Sequence, residues 1–251
     1  MSKILITGSR GFVGKHLVRY LKDRYEIVEI DREIGSEVLD LRPSDLDGVE
    51  AVFHLAAQTS VWNEDDRQIL ADNVAGFAYL LSLCKGAGVR LIYASSSCSV
   101  NVTSMYGLSK SVCDEIAERF GWEECVGLRL HNVYGKDARS DTLLGRCLSD
   151  NFVKLFNLGN NFRHFTYIDD VCRAFESGLK LKGGIYNVAN PKGNFVWEMV
   201  REVQKYKNLN VAFWPEPREK DKVVQQIDGQ LKNLLEKGCV QIEEGIKLVF
   251  S

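Results

Sequence analysis

The sequence has no excess of positive charge and no long apolar run. Its 32 Lys and Arg residues against 34 Asp and Glu residues give a net charge of −2, so no basic field indicates a nucleic-acid partner. No apolar stretch reaches the roughly 18 residues that a membrane span needs, and Met1-Ser2-Lys3 runs directly into a predicted strand without a signal-peptide pattern. We therefore expect a cytoplasmic protein with no membrane and no nucleic-acid partner.

The sequence also lacks the spacing of metal ligands. Its seven cysteines form no Cys-x-x-Cys pair and are scattered in apolar surroundings, which is typical of reduced, buried thiols. The four histidines, at positions 16, 54, 131 and 164, are equally dispersed, so we predict no metal site. Apolar residues make up 45% of the chain, which is enough for a globular core.

The segment Tyr106-Gly-Leu-Ser-Lys110 carries the clearest chemical pattern. Residues four apart share a helix face, so we expect Lys110 to lie beside the phenol of Tyr106. A neighbouring cation lowers the pKa of a tyrosine, which allows proton exchange with a sugar or alcohol hydroxyl. Ser97 lies nine positions earlier, after an apolar run, and we predict that it hydrogen-bonds the reacting oxygen, with Ser96 and Ser99 as alternatives. The predicted catalytic residues are Ser97, Tyr106 and Lys110.

The N-terminus has the strand, glycine turn and helix that a dinucleotide site requires. Lys3-Ile-Leu-Ile-Thr7 is a β-branched run typical of a buried parallel strand. Gly8 is expected to permit the tight turn, Gly11 to let a pyrophosphate approach the backbone, and Gly14 to let the following helix pack closely. The predicted turn residues that contact the cofactor are Gly8, Arg10, Gly11, Phe12, Val13 and Gly14.

A second strand, Glu26-Ile-Val-Glu-Ile30, ends at Asp31. An acidic residue at this position can accept hydrogen bonds from the adenosine ribose, which favours NAD. Arg32 follows directly, and either Arg32 or Arg10 could instead hold the 2′-phosphate of NADP. We predict NAD as the cofactor, with NADP as the alternative.

Strands and helices alternate along the chain up to Gly135. This alternation predicts an α/β fold of the doubly wound Rossmann type, with a parallel sheet covered by helices on both faces. Ligands bind at the carboxyl ends of such strands, where Gly8, Asp31, Ala56 and Ser95 fall. The predicted strands are 3–7, 26–30, 37–40, 50–55, 89–95 and 125–130, and the predicted helices are 12–23, 65–86 and 106–120; a helix near 140–150 and a strand at 153–157 follow outside the sheet.

These motifs together resemble the extended short-chain dehydrogenases/reductases, in the NAD-dependent nucleotide-sugar epimerase/dehydratase family. The resemblance covers nearly the whole chain, and the shared order of the segments carries it. Further similar segments are Asp40-Leu41, His54-Leu-Ala-Ala57, Asn73-Val-Ala-Gly76, Leu128-Arg-Leu-His-Asn-Val-Tyr-Gly135, Arg163-His-Phe-Thr-Tyr-Ile-Asp-Asp-Val171, Gly184-Ile-Tyr-Asn-Val-Ala-Asn190 and Arg218-Glu-Lys-Asp221, the last without the Pro and Gly of the family's turn.

The resemblance implies the remaining site residues and the domain boundaries. It implies a Rossmann domain over 1–135, to which 164–189 returns, and a small, trimmed C-terminal α/β substrate lobe over 136–163 and 190–251. Arginine suits the diphosphate of a nucleotide sugar because its planar fork matches phosphate oxygens. The implied cofactor contacts are Asp40, Leu41, Leu55, Ala56, Ala57, Asn73, Ser95, Tyr106 and Lys110, and the implied substrate contacts are Ser97, Asn132, Arg163 and Arg218.

The resemblance leaves several activities open. Family dehydratases usually carry an acidic residue just after the catalytic Ser or Thr, whereas Cys98 and Ser99 follow Ser97 here. We therefore predict epimerisation of a nucleotide sugar through a keto intermediate. The alternatives are an NAD(P)H-dependent keto-sugar reductase, a sugar dehydratase and, from another class, a non-catalytic dinucleotide sensor.

The interval between Ser97 and Tyr106 is much shorter than is usual in extended members of the family. The missing segment normally walls the substrate pocket, so we expect an open or unusually shaped site, or one completed by another subunit. A homodimer is predicted by resemblance, through the helices after the fourth and fifth predicted strands. The apolar residues considered for this contact are Ile69, Val74, Phe77, Leu80, Leu81, Val112, Ile116 and Phe120.

Overall fold

The structure, a computed structural model, describes residues 1–59, 65–217 and 227–251. The strands are β1 (Lys3–Thr7), β2 (Glu26–Ile30), β3 (Val49–His54), β4 (Arg90–Ser96), β5 (Cys125–Leu130), β6 (Val133–Tyr134), β7 (Phe152–Leu155), β8 (Phe162–Arg163), β9 (Thr166–Tyr167), β10 (Gly184–Val188), β11 (Asn194–Phe195) and β12 (Asn210–Phe213). The helices are α1 (Phe12–Leu21), α2 (Asp66–Ile69), α3 (Gly76–Ala87), α4 (Met105–Phe120), α5 (Leu143–Ser149), α6 (Ile168–Gly178), α7 (Val196–Gln204) and α8 (Ile242–Phe250).

A parallel sheet of six strands, in the order β10-β5-β4-β3-β1-β2, forms the centre of the protein. Its inner strands are apolar on both faces, as the β-branched runs predict. Leu5 of β1, for example, is fully buried and pairs in register with Val28 of β2 and Val52 of β3. The predicted α/β class with a parallel Rossmann-type sheet is confirmed.

Helices cover both faces of the sheet. Leu17 of α1 and Phe175 of α6 pack with Ile6 of β1 on one face. Phe77 of α3 and Cys113 of α4 belong to the cluster on the opposite face. The side chains of successive strand residues alternate between these two layers. Because the six strands are parallel, the loops that leave their carboxyl ends lie along one edge of the sheet.

Two predicted elements differ from the structure. The strand predicted at 37–40 is wrong, because Val38–Asp40 forms a 3₁₀ turn whose backbone bonds are local, such as Leu41 N to Val38 O at 3.3 Å. The helix predicted over 65–86 is interrupted by a π-helical turn, Leu70–Ala75, between α2 and α3. Because 37–40 is not a strand, His54 ends the third strand of the chain and not the fourth, and Ser96 ends the fourth strand and not the fifth.

The described residues from Val133 onward build three two-stranded sheets beside the main one, and in the first of them β6 pairs with β9 in parallel. β7 pairs with β12 in parallel and β8 pairs with β11 antiparallel. Met199 of α7 and Ile246 of α8 are buried in the same apolar cluster as the sheet face that carries α1. β10 returns to the main sheet beside β5. Through the shared apolar cluster, α7 and α8 pack against the main sheet.

No helix within the described ranges combines the length and the apolar character that crossing a bilayer demands.

Two buried histidines should make the stability of the fold sensitive to acid. Burial lowers the pKa of His54 to about 3 and, with a contribution from His164, that of His131 to about 4, from an ordinary value of 6.5. As pH falls below 6.5 the unfolded chain binds protons that the folded chain does not, so the free energy of unfolding should fall between pH 6.5 and pH 4. Urea denaturation at several pH values should show a shallower decline for His131→Asn than for the unmodified protein. Parallel curves for the two proteins would contradict this expectation.

Candidate active site

A cleft of about 570 Å³ opens at the carboxyl ends of the sheet strands. It is the edge at which parallel α/β sheets bind their ligands. The predicted residues that line the cleft are Gly8, Gly11, Phe12, Val13, Gly14, Asp31, Arg32, Leu55, Ala56, Ala57, Ser95, Ser97, Tyr106, Lys110 and Asn132.

The glycine turn forms the floor of one end of the cleft. Gly8 has φ +71 and its N–H donates to the carbonyl of Ile30 at 2.8 Å. A side chain at Gly8 would place Cβ 2.5 Å from the backbone N of Ala56, and one at Gly14 would overlap the carbonyl oxygen of Gly8. Gly11 has more room, since its nearest such contact is 3.3 Å away. The tight turn predicted at Gly8 is thus present, and Gly14 is required by the turn itself as much as by helix packing.

Replacing Gly8 with alanine should disrupt this turn. The added methyl group would meet the backbone of Ala56 while the residue is held at positive φ, a combination of overlap and strain of about 1–3 kcal/mol or more. We expect Gly8→Ala to weaken NAD binding by at least about tenfold, which corresponds to about 1.4 kcal/mol, measured by calorimetry on folded protein. Gly86→Ala is the matched control, because a Cβ there meets no atom within 4 Å. Equal NAD affinity in the two variants would show that the turn does not shape the site.

Asp31 follows β2 and faces the same end of the cleft. Its Oδ2 accepts from the backbone N–H of Arg10 at 2.9 Å, and its Oδ1 accepts from that of Glu33 at 3.0 Å. These two bonds fix the carboxylate beside the glycine turn. The chain therefore has the glycine cradle and the acidic group that an adenine dinucleotide requires, so the residues present fit such a cofactor.

The two arginines considered for NADP are both engaged with acids. Arg32 forms a forked pair with Asp72 at 2.7 and 2.8 Å. Arg10 contacts Glu29 at 3.4 Å and does not line the cleft. Neither guanidinium is therefore free to meet a 2′-phosphate without losing an acidic partner.

Tyr106 and Lys110 lie at the start of α4, which Ser104 caps by accepting from the N–H of Gly107 at 3.1 Å. Both residues line the cleft. Lys110 is 5% exposed, and its Nζ donates to the carbonyl of Ala94 at 2.8 Å. Ser96 is the serine whose side chain acts on the phenol of Tyr106, where it favours the phenolate and lowers the pKa. The serine that meets the tyrosine in this structure is thus Ser96, one of the sequence alternatives, although Ser97 also lines the cleft.

The pKa of Tyr106 is raised to about 12, chiefly by burial and then by Cys98, while Ser96 and Arg139 act to lower it. The predicted lowering of this pKa by Lys110 is therefore wrong for this structure. The reason is geometric, because the ammonium group is directed to the carbonyl of Ala94. Burial also lowers the pKa of Lys110 itself.

A buried carboxylate that sequence reasoning missed lies behind the serine segment. Asp114, on α4, is 5% exposed and accepts from Ser95 at 2.8 Å and from Ser99 at 3.0 Å. It also accepts from Tyr93 at 3.0 Å and pairs with Arg129 at 2.9 Å. Asp114 thus fixes the serines on both sides of Ser96 and Ser97. The sequence held one indication of this role: Asp114 lies eight residues, or about two helical turns, after Tyr106 on the same helix face.

The other end of the cleft contains Asn132, Arg139 and Asp141. Asn132 has φ +35, and its buried Oδ1 has no hydrogen-bond partner among the described residues, so an amide oxygen is available to a ligand. Arg139 pairs with Asp141 at 2.9 Å and its charge acts on Tyr106. Sequence reasoning missed both Arg139 and Asp141, which no motif marks.

Several other predicted residues lie outside the cleft lining. Asn73 is buried behind it, where its side chain accepts from the N–H of Gln58 at 2.7 Å and donates to Ser109 at 2.9 Å. Arg163 donates to the carbonyl of Phe162 at 2.8 Å, and Arg218 lies outside the described residues. Asp40 and Leu41 were predicted to contact the cofactor, but the preceding residues, 36–39, line the cleft in their place. The roles assigned to these five residues and to Arg10 stay predictions.

The fold and the cleft define a nucleotide-binding enzyme of the Rossmann class with a tyrosine and a lysine on one helix. Residues 4–189 match the family described as the NAD dependent epimerase/dehydratase family, and the chain belongs to that family. The resemblance identified from the sequence is therefore confirmed, and so is the family's dependence on NAD.

Individual relatives agree with this assignment. The chain is 28% identical over 295 residues to a putative UDP-glucose 4-epimerase of Methanocaldococcus jannaschii, with 98% of this chain and 96% of the relative covered. It is similar to the structure of TunA, an NAD-dependent NDP-hexosamine 5,6-dehydratase involved in tunicamycin biosynthesis, with a TM-score of 0.82, 27% identity and coverage of 100% and 97%. The UDP-glucuronic acid 4-epimerase of Bacillus cereus, solved with UDP-glucuronic acid and NAD, shares the fold at a TM-score of 0.79 and 22% identity, with 99% and 98% covered.

Proposed function

We propose that the protein epimerises a nucleotide-activated sugar, using NAD and a transient keto intermediate, with Tyr106 as the acid and base. The observation that carries this proposal is the placement of Tyr106, Ser96 and Lys110 in the same cleft as the glycine turn and Asp31. The proposed domains are 1–135 with 164–189 for the cofactor, and 136–163 with 190–251 for the sugar nucleotide.

The glycine turn and Asp31 would hold the adenosine diphosphate part of NAD, and Lys110 would hold the nicotinamide ribose. When bound, NAD supplies the acceptor for a hydride and then its source. Ser96 or Ser97 would orient the reacting hydroxyl, and the phenolate oxygen of Tyr106 would take its proton and later return it. Because burial disfavours the phenolate, positive charge in the loaded site is needed to bring the pKa of Tyr106 down.

A rim left open by the short segment between Ser97 and Tyr106 would favour epimerisation over the other reactions. The sugar ring must turn one face to the cofactor when it gives up the hydride and the opposite face when it takes the hydride back. Turning the ring between these two steps needs space. The short segment between Ser97 and Tyr106 leaves Val100, 42% exposed, and Val102, 45% exposed, at the surface. Asn132, Arg139 and the predicted Arg163 and Arg218 would bind the nucleotide end while the sugar ring turns.

Dehydration is the second candidate, and one observation favours it. Elimination of water needs a proton donor near the leaving hydroxyl, and Asp141 lines the cleft. Its carboxylate is already engaged by Arg139 at 2.9 Å, which argues against an acid role. The similarity to TunA, a dehydratase, is the reason to retain dehydration as a candidate reaction.

One assay separates these functions. The purified protein would be incubated with NAD and a panel of nucleotide sugars, and the products followed by NMR and by absorbance of the reduced cofactor. An epimer formed without net NADH supports the proposal. A deoxy-keto sugar would indicate a dehydratase, stoichiometric NADPH consumption a reductase, and tight cofactor binding without any product a sensor.

A homodimer remains part of the proposal, with a smaller contact surface than the sequence implied. Ile69, Phe77, Leu80 and Leu81 are buried in the protein core and cannot meet a partner. Phe120 is 63% exposed, and Val112 and Ile116 of α4 are partly exposed. Analytical ultracentrifugation would test whether these α4 residues support a dimer.

A further inference from the structure

Arg32 is held in a preformed arrangement of two acids. Its guanidinium donates to both carboxylate oxygens of Asp72, at 2.8 and 2.7 Å, and to Glu37 at 3.2 Å. Arg32, Glu37 and Asp72 all line the cofactor end of the cleft. Forked pairs of this kind are the strongest that arginine makes with an anion.

Asp72 is itself fixed from several directions. It lies in the π-helical turn Leu70–Ala75, and only 10% of its side chain is exposed. Its oxygens also accept from the side-chain amides of Gln58 at 2.9 Å and Gln68 at 2.8 Å. Burial alone would raise the pKa of Asp72, but the hydrogen bonds from Arg32, Gln58 and Gln68 outweigh it and lower the pKa. The carboxylate is therefore charged at neutral pH.

We propose that Asp72 determines the choice of NAD over NADP by keeping Arg32 paired and away from a 2′-phosphate. This inference rests on the proposed cofactor site in the cleft and names the residue that sets its specificity. Asp31 alone would favour a free ribose, but an unpaired Arg32 beside it would attract phosphate. Asp72 removes that attraction and adds negative charge, so a phosphate at this position would meet a satisfied arginine and repelling carboxylates.

The test is the affinity of the unloaded protein for each dinucleotide, measured by calorimetry and independent of turnover. Asp72→Asn keeps the shape of the side chain and removes the charge of the forked pair, leaving Arg32 only its longer contact with Glu37 at 3.2 Å among the described residues. We expect NADP to bind about tenfold more tightly, equivalent to about 1.4 kcal/mol, while NAD affinity stays within about twofold. An unchanged ratio of the two affinities in this variant would overturn the proposal.

Three further variants make the result specific. The double variant Arg32→Ala/Asp72→Asn should lose the gain in NADP affinity, and its persistence there would contradict a role for Arg32. Gln68→Ala is the matched control, because it removes a hydrogen bond to Asp72 but leaves the pair with Arg32, so the ratio should not change. Arg32→Ala alone should not tighten NADP binding, because it leaves the charge of Asp72 without this partner, and tighter NADP binding in this variant would refute the proposal even if Asp72→Asn fails to fold.

The same measurements separate this inference from the proposed function. If the unmodified protein binds NAD but Asp72→Asn does not alter the ratio, only the role of Asp72 fails. If the unmodified protein binds neither dinucleotide, the proposed cofactor site fails and the inference fails with it.

Discussion

Tyr106→Phe is expected to lower kcat for sugar epimerisation by at least about a thousandfold, within the range that a positioned acid or base contributes. The variant loses only the phenolic oxygen, on which the side chain of Ser96 acts in this structure. The ring would still line the cleft, and the glycine turn and Asp31 would be untouched. NAD affinity should therefore stay within about threefold of the unmodified protein, well under one factor of ten or 1.4 kcal/mol.

The pH dependence provides a second readout for Tyr106. Burial disfavours the phenolate of Tyr106, so kcat/KM should rise with pH up to the pKa that this phenol has in the NAD-loaded enzyme. The residual activity of Tyr106→Phe should lack this rise. Tyr20→Phe is the matched control, because it removes a phenol that donates to Glu176 at 3.0 Å outside the cleft. A Tyr106→Phe variant that is as active as this control would eliminate the tyrosine from the mechanism.

The second large effect is expected at Asp114. Asp114→Ala would remove the acceptor for Tyr93, Ser95 and Ser99 and leave Arg129 with Asp228, at 3.0 Å, as its remaining acidic partner. Loss of one partner of a buried ion pair typically lowers the free energy of unfolding by about 3–5 kcal/mol. Urea denaturation would measure this loss.

An exposed aspartate provides the control for Asp114→Ala. Asp47→Ala changes an exposed aspartate, and such surface changes usually alter the free energy of unfolding by less than about 0.5 kcal/mol. Asp114→Asn should fall between the two, because it keeps an acceptor oxygen but not the charge. A loss at Asp114→Ala as small as that at Asp47→Ala would show that the network does not stabilise the fold.

The parts of the fold that local chemistry dictates were predictable. A β-branched run such as residues 3–7 becomes a strand buried on both faces, and a glycine that must adopt positive φ marks the turn after it. The segment 37–40 was mispredicted because its alternation is too short to outweigh local 3₁₀ bonding. The π turn at 70–75 contains Asp72, which accepts hydrogen bonds from side chains of distant segments, including Gln58 and Arg32, and no local sequence pattern predicted the turn.

The candidate site shows the same division. Tyr106 and Lys110 were found because a spacing of four places them on one helix face. The direction of Lys110 was missed, because the acceptor that captures its ammonium group is the carbonyl of Ala94 on a neighbouring strand. Arg139 was missed because it reaches the cleft from a loop 33 residues beyond Tyr106, and only the folded chain brings these two residues together.

The short rim between Ser97 and Tyr106 has a consequence for engineering. Residues 101–103 are exposed and lie between a 3₁₀ turn and the capped start of α4. Lengthening an exposed loop changes the free energy of folding little, since doubling the loop length adds only about 0.6 kcal/mol of closure entropy. This segment is therefore a natural place to graft longer loops beside the cleft, while α4 and the glycine turn keep their geometry.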